Sequence, residues 1–335
     1  MSLREERVTL SHGAGGTMMA RLIDELFLEA YGDATAARDD SAVVDLSGPL
    51  AFTTDSFVVD PLFFPGGDIG RLAIAGTVND LLTAAAQPLV ISASFIIEEG
   101  FAISDLRSIA CAMAETADEC GVRIVTGDTK VVPRGSADRL FVTTSGIGRV
   151  LRPGVSGACA RPGDVIILTG SVGDHGAAVM LARENLLETD NIRSDIAPLT
   201  EIVMNLLDAG CEIHAMRDPT RGGIGSALNE IARQSGTAIH IDECAVVVKP
   251  AVAAACEALG IDPLYVANEG KMLIVADPAD AQRALEVVRA SRYGEDAALI
   301  GEVRTGPPGR VQVRTSIGTS RILSPPSGEL LPRIC

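Results

Sequence analysis

The spacing of apolar positions changes several times along the chain, and the changes mark out its elements. Met18, Leu22, Leu26 and Ala30 fall at helical spacing and predict an amphipathic helix over 17–31, with Gly32 as its stop. Two β-rich runs follow at 42–46 and 51–59. Ser47-Gly48-Pro49 joins them, which predicts a hairpin. Residues 68–86 are apolar almost all round and predict a buried helix. Strands are predicted at 89–97, 122–126 and 139–148, with a helix at 104–119.

Breakers at Arg152-Pro153-Gly154 and Arg161-Pro162-Gly163 turn the chain twice and divide it into domains at 1–153 and 154–320. The second half predicts strands at 165–169, 238–242, 271–276, 297–304 and 310–315. Helices are predicted at 175–184, 198–209, 222–235, 250–259 and 279–292. Hairpins mixed with crossover helices predict an α+β fold rather than a doubly wound sheet. Residues 321–335, punctuated by Ser324-Pro325-Pro326-Ser327-Gly328, predict an extended, flexible tail that ends on Cys335. Such a tail reaches up to ~45 Å, far enough to enter a distant site. A frayed end with an exposed thiol is the plain alternative.

Composition narrows the classes. The chain has 335 residues, enough for two real cores, and lacks tryptophan, so those cores are built from Ala, Val, Leu and Ile. A net charge of −16 excludes nucleic-acid binding, but it leaves nucleotides open, because metal ions bridge carboxylates to phosphates. No apolar run approaches a membrane span and no apolar leader opens the sequence; the expectation is a cytoplasmic protein with no membrane contact. The seven cysteines include no CxxC pair, against a zinc knuckle or disulfide framework. The six internal ones are expected to be small buried hydrophobes.

Candidate chemistry lies in carboxylates placed where pattern alone would not put them. Asp39 and Asp40 precede an apolar strand start, Asp55 sits inside a β-rich run and Asp80 lies on the buried helix. Asp128 follows a strand end, and Asp218 precedes a helix within Arg217-Asp218-Pro219-Thr220-Arg221-Gly222-Gly223. Each alone has a structural reading: Asp218 as a helix cap, Asp39 as a turn residue. Together they fit a hard cation such as Mg²⁺ shared with substrate phosphates. Gly13-Ala14-Gly15-Gly16 and Gly222-Gly223 let backbone N–H groups approach phosphate, although neither a Walker loop nor a dinucleotide fingerprint is present. Lys130 and Glu269 are candidate acid/base groups or ordinary surface charges, and His175 and His214 are expected to be structural.

The stretches that carry a resemblance are these. They begin with His12-Gly13-Ala14-Gly15-Gly16, Asp39-Asp40-Ser41-Ala42, Thr54-Asp55-Ser56-Phe57-Val58-Val59-Asp60-Pro61 and Pro65-Gly66-Gly67-Asp68-Ile69-Gly70. They continue with Gly76-Thr77-Val78-Asn79-Asp80, Gly127-Asp128-Thr129-Lys130-Val131-Val132, Asp218-Pro219-Thr220-Arg221-Gly222-Gly223, Asn268-Glu269-Gly270-Lys271 and Pro332-Arg333-Ile334-Cys335. In combination, from residue 8 to 335, they resemble HypE, the carbamoyl dehydratase family of nickel–iron hydrogenase maturation. That family lies within the PurM-like (AIR synthase-related) superfamily.

The resemblance implies a two-domain PurM-like fold whose N-terminal domain pairs by its sheet with a second subunit. It implies ATP and Mg²⁺ between the domains, with metal roles at Asp40, Asp80, Asp128 and Asp218. Cofactor contacts are implied at His12, Gly13, Asp55, Asn79, Thr220 and Gly222 as well as at those four carboxylates. It further implies that Cys335 carries a carbamoyl group, that Lys130 and Glu269 lie near it, and that ATP drives its dehydration to a thiocyanate. The implied partners are the carbamoyltransferase HypF and an iron scaffold of HypC and HypD. Two alternatives stay open: another PurM-like synthetase or kinase, such as a selenophosphate synthetase, and a non-enzymatic thiol scaffold. The first looks for a cysteine near the N-terminus, and none precedes Cys111.

Overall fold

In the computed structural model, residues 6–14, 16–32, 41–184, 192–326, 328 and 331–335 are described. The predicted first helix forms as α1 (Thr17–Leu22) and α2 (Leu28–Tyr31), joined by a π-helical stretch, Ile23–Phe27. Then come β1 (Leu50–Phe57), the short β2 (Phe63–Phe64) and β3 (Gly67–Asp68), and α3 (Ile69–Thr83). Asp68 caps α3, accepting from the backbone N–H groups of Gly70 (2.7 Å) and Arg71 (3.1 Å), which satisfies two otherwise orphan donors. β4 (Ala86–Glu98), α4 (Ile103–Cys120), β5 (Arg123–Val132) and β6 (Leu140–Val150) complete this half.

Its sheet has the order β1-β6-β4-β5, and α3 packs on β1, β6 and β4. Most of α3 is buried, including Ile69, Leu72, Ile74, Val78, Leu81 and Leu82, each contributing about 1.5–3 kcal/mol of burial. The other face of the sheet is open, with Leu50, Phe52 and Ile96 exposed.

The second half contains β7 (Val165–Leu168), α5 (Asp174–Arg183), α6 (Thr200–Asp208), β8 (Ile213–Arg217), α7 (Gly223–Ser235) and β9 (Ala238–Asp242). It continues with α8 (Pro250–Leu259), β10 (Leu273–Ala276), α9 (Ala281–Ala290), β11 (Ala298–Arg304), β12 (Arg310–Arg314) and β13 (Ser320–Ile322). Seven strands form one sheet, β13-β12-β9-β11-β7-β10-β8. One core cluster runs across both halves, from Val8 and Leu72 to Ile196, Met272 and Ile334.

Several expectations are corrected here. Residues 42–46 form no strand; Val43 is 97% exposed, and β1 pairs antiparallel with β6, far along the chain, instead of forming a hairpin. β5 does not stop before Asp128 but runs through it, because Thr129 and Val131 face the core while Asp128 and Lys130 alternate outward. β8 and β13 were not foreseen. The tail is not a loose tether: Val58 N–H donates to the Cys335 carbonyl and Asp60 N–H to that of Arg333, both at 3.2 Å, and Ile334 is buried. Of the six internal cysteines only Cys120, Cys211 and Cys256 are buried, while Cys111 and Cys244 are exposed, since each of those two lies on the outward side of its element.

Candidate active site

Both halves supply carboxylates to one cleft. The alternation of β1 turns Thr53 and Asp55 toward α3, and Thr53 Oγ1 donates to Asp80 Oδ2 at 2.7 Å, near the end of that helix. Asp218 follows β8, and the turn beyond it needs left-handed backbone at Gly222 (φ 75°) and Gly223 (φ 57°), which glycine adopts without strain. Thr220 and Gly222 therefore stand beside Asp218. The guanidinium of Arg221 lies 3.6 Å from Asp55 at the mouth of the cleft.

The electrostatics of this group are frustrated. Burial, then the charge of Asp80, pushes Asp55 up to about 6 against the opposing Arg221. Asp80 is raised by burial, with the Thr53 hydrogen bond opposing. Burial and the neighbouring Asp80 and Asp55 push Asp218 up to about 7. Glu269 lies well above the usual carboxylate range, first through burial and then through Asp218, Asp195, Asp55 and Asp80. Its Oε1 is buried and, among the described residues, has no hydrogen-bond partner. Burial raises all four carboxyls and neighbouring carboxylates raise Asp55, Asp218 and Glu269 further, an excess of anionic oxygen that suits a hard cation. Among the described residues no three His, Cys, Asp or Glu side chains form a ready-made metal cage. What fits a cation here is the buried, unpartnered Glu269 Oε1 beside the raised Asp55 and Asp218, with further ligands needed from outside this group.

Asn79 staples the cleft shut behind Glu269. Its Nδ2 donates to the carbonyls of Ala197 (3.0 Å) and Glu269 (3.3 Å), and its Oδ1 accepts from Leu199 N–H (2.9 Å). The carboxylate of Asp195 accepts from Glu269 N–H at 3.1 Å and lies 3.4 Å from Lys271 Nζ. Gly270 is required between them, because a Cβ there would overlap the Asp195 carbonyl oxygen. Asn268 accepts from Gly173 N–H (2.7 Å) and donates to the Pro219 carbonyl (3.1 Å), tying the Asp218 turn to the Glu269 strand entry.

Cys335 is docked three residues beyond Asp55, through the Val58 bond already described. The Ile334 carbonyl is met by His175 Nε2 at 2.9 Å, while His175 Nδ1 faces Ser194 Oγ at 2.8 Å. A carbonyl only accepts, so His175 carries its proton on Nε2. Burial holds its pKa low and keeps the ring neutral. His175, expected to be structural, thus binds the Cys335 segment, whereas His214, within β8, pairs with Asp164 at 2.8 Å.

Not every candidate is gathered here. Asp128 and Lys130 lie on β5, at the sheet edge opposite β1, about 14 Å away at ordinary strand spacing, and on the open face. Lys130 is therefore not beside Glu269 within one chain; the alternation of β5 directs it outward. His12 and Gly13 also pack on the β5 side, Gly13 against the Val131 backbone, and His12 Nδ1 accepts from Thr9 N–H at 3.0 Å. Asp39 and Asp40 lie outside the described residues. Ser41, Ala42 and Asp128 line a cavity of about 490 Å³ between the first helix and β5. Asp195 and Arg183 escaped the sequence reading, since neither stands in a glycine-rich or acidic motif.

Two mixed sheet-and-helix halves supply this acidic site, and each of them matches a domain of one family. The AIR synthase related N-terminal domain matches residues 38–150, and the C-terminal domain of that family matches 161–314. The carbamoyl dehydratase HypE of Bradyrhizobium diazoefficiens is 51% identical over 340 residues, covering 100% of this chain and 98% of its own. The crystal structure of hydrogenase maturation protein HypE in complex with ATP superposes with a TM-score of 0.95 at 46% identity, over 98% of this chain and 99% of that one. A HypE–HypF complex matches with a TM-score of 0.80 at 49% identity, over 91% and 99%. The chain belongs to the HypE family of carbamoyl dehydratases.

Proposed function

We propose that this chain dehydrates an S-carbamoyl group on Cys335 to a thiocyanate, consuming ATP. The observation that carries the reading is the docking of the Cys335 segment at the end of β1, next to the cleft of Asp55, Asp80, Asp218 and Glu269.

The chemistry follows from the leaving group. A carboxamide oxygen leaves poorly, so it takes the γ-phosphoryl group of ATP, forming a C–O–P linkage and releasing ADP. Loss of the nitrogen protons then expels phosphate and leaves S–C≡N; overall, carbamoyl thioester plus ATP gives thiocyanate, ADP, phosphate and a proton. Glu269 would accept a nitrogen proton once bound positive charge offsets its carboxylate neighbours and leaves it ionised, and in that form it is a stronger base than an ordinary carboxylate. Burial around Glu269 excludes water that would hydrolyse the activated group. Asp80 and Asp218, with Asp40 and Asp128, would hold Mg²⁺, which supplies charge neutralisation on the transferring phosphoryl group. Thr220 and Gly222 bind and orient the nucleotide beside Asp55, while Asn79, its side-chain amide already committed to the main chain of Ala197, Glu269 and Leu199, holds the wall behind it.

Asp128 and Lys130, remote from the cluster within one chain, act across a homodimer in which two copies pair through the open sheet face of Leu50, Phe52 and Ile96. His12 and Gly13 belong to the same β5 group. HypF supplies the carbamoyl group, a reading supported by the HypE–HypF complex, and a HypC–HypD iron scaffold receives the cyanide. Among the described residues no helix is long and apolar enough to cross a membrane. We assign the reaction to the cytoplasm, where ATP and reduced thiols coexist.

Mass spectrometry of the closing peptide tests the proposal. Protein carbamoylated at Cys335 and given Mg-ATP loses the mass of one water. An unchanged mass overturns the reading, as does a Cys335→Ala variant that still yields cyanide.

A further inference from the structure

From 332 to 335 every main-chain carbonyl accepts a hydrogen bond. Arg183 Nη1 donates to Pro332 O (2.8 Å), Arg183 Nη2 to Arg333 O (2.7 Å), His175 Nε2 to Ile334 O (2.9 Å) and Val58 N–H to Cys335 O (3.2 Å). The other side of Arg183 is anchored: its Nε and Nη2 both donate to the Asp60 carbonyl, at 2.9 and 2.8 Å. Asp60 N–H in turn donates to Arg333 O. Two of these groups come from one helix, His175 in the first turn of α5 and Arg183 in its last. Gly176, on the same helix, is needed first for the close contact with Val266, and a Cβ there would also meet Leu331 Cδ1 at 3.2 Å. Arg333 sits at φ 52°, a left-handed conformation that a non-glycine residue holds only when its surroundings impose it.

Building on the proposed carbamoyl chemistry, we infer that Arg183 and His175 are a latch: they hold the Cys335 segment against β1, and their grip sets how often the thiol leaves the cleft to meet the carbamoyl donor. The grip is on backbone oxygens alone. It is therefore indifferent to whether the sulfur carries hydrogen, a carbamoyl group or a cyano group, and one latch serves every stage. Guanidinium suits this position because its planar fork reaches Asp60 and two closing carbonyls from separate nitrogens, whereas an ammonium offers its three donors from a single point. Arg183 and His175 are positioning residues, acting through the segment they hold and not on the reacting atoms.

Alkylation by iodoacetamide, read cysteine by cysteine by mass spectrometry on the full chain, tests the latch without ATP or carbamoyl group. Arg183→Ala speeds labelling of Cys335 at least about tenfold, the scale of losing one charged hydrogen bond at the low end of its range. Arg183→Lys gives an intermediate rate. Arg304→Ala, on β11, leaves the rate at the wild-type value. Cys120, Cys211 and Cys256 are buried and report any general loosening of the fold. A Cys335 rate in Arg183→Ala within twofold of wild type overturns the latch. So does an increase matched at the three buried cysteines, or one reproduced by Arg304→Ala. Because labelling needs no dehydration, a chain that never forms thiocyanate can still pass this test, and an active dehydratase can fail it.

Discussion

Glu269 concentrates the chemistry at the scale of single residues. Its Oε1 is buried with no described partner, and four neighbouring carboxylates resist its ionisation. Glu269→Gln keeps the shape and removes the base. Thiocyanate formation should fall by about 10²–10⁴-fold, the usual worth of a positioned general base, while Mg-ATP still shifts the melting temperature. Quantifying thiocyanate alongside a thermal-shift titration separates the two effects. Asp55, Asp80 and Asp218 were legible in the sequence because a carboxylate in an apolar setting needs a reason, whereas Glu269 read equally as a surface charge and only the family resemblance singled it out. Asp195, His175 and Arg183 were not legible. Each acts through main-chain groups of residues distant in sequence, and no local pattern records where a carbonyl of another segment will lie.

Elements explain why the cleft keeps its shape. The helix α3 was legible because apolar residues all round it leave only burial as a solution, and its final turns deliver Asn79 and Asp80 together. The strand entry at Asn268-Glu269-Gly270-Lys271 is held against residues 195–197 so closely that only glycine fits at 270. Gly270→Ala should cost about 1–3 kcal/mol through overpacking, measured as a lower denaturant midpoint at unchanged slope. Dehydration should fall further than the stability loss accounts for, because Glu269 is displaced with its neighbour. The expected hairpin at 42–59 failed for a related reason. β1 takes its partner, β6, from nearly ninety residues away, and turn residues between adjacent β-rich runs carry no information about that choice.

At the scale of the whole molecule the acidic cleft couples folding to pH. Asp55 and Asp218 titrate near 6 and 7 in the folded chain, above their ordinary values, so the folded state holds protons more tightly than the unfolded one. The stability they contribute is complete below about pH 4 and is lost as pH rises through about 6 to 7. Without metal, wild type should therefore lose stability relative to Asp218→Asn between about pH 5 and pH 8, by about 1–3 kcal/mol. Denaturant curves of both proteins across that range check the sign; a stability of Asp218→Asn minus wild type that stays constant or falls with rising pH contradicts it. Mg²⁺ with ATP should reverse the trend, and more strongly at pH 8, where protons no longer compete for the same oxygens.

The docked 332–335 segment also changes what kind of catalyst the protein is. A reactant bonded to the chain that transforms it has no Michaelis constant: its local concentration is set by reach and docking, not by dilution. The rate per carbamoylated chain should then be first order and, once the proposed dimer is fully assembled, insensitive to how much protein is in solution. Each loading gives one product, which stays attached until another molecule removes it. Throughput is governed by the exchange of groups at Cys335, so this enzyme is paced by its encounters with its partners.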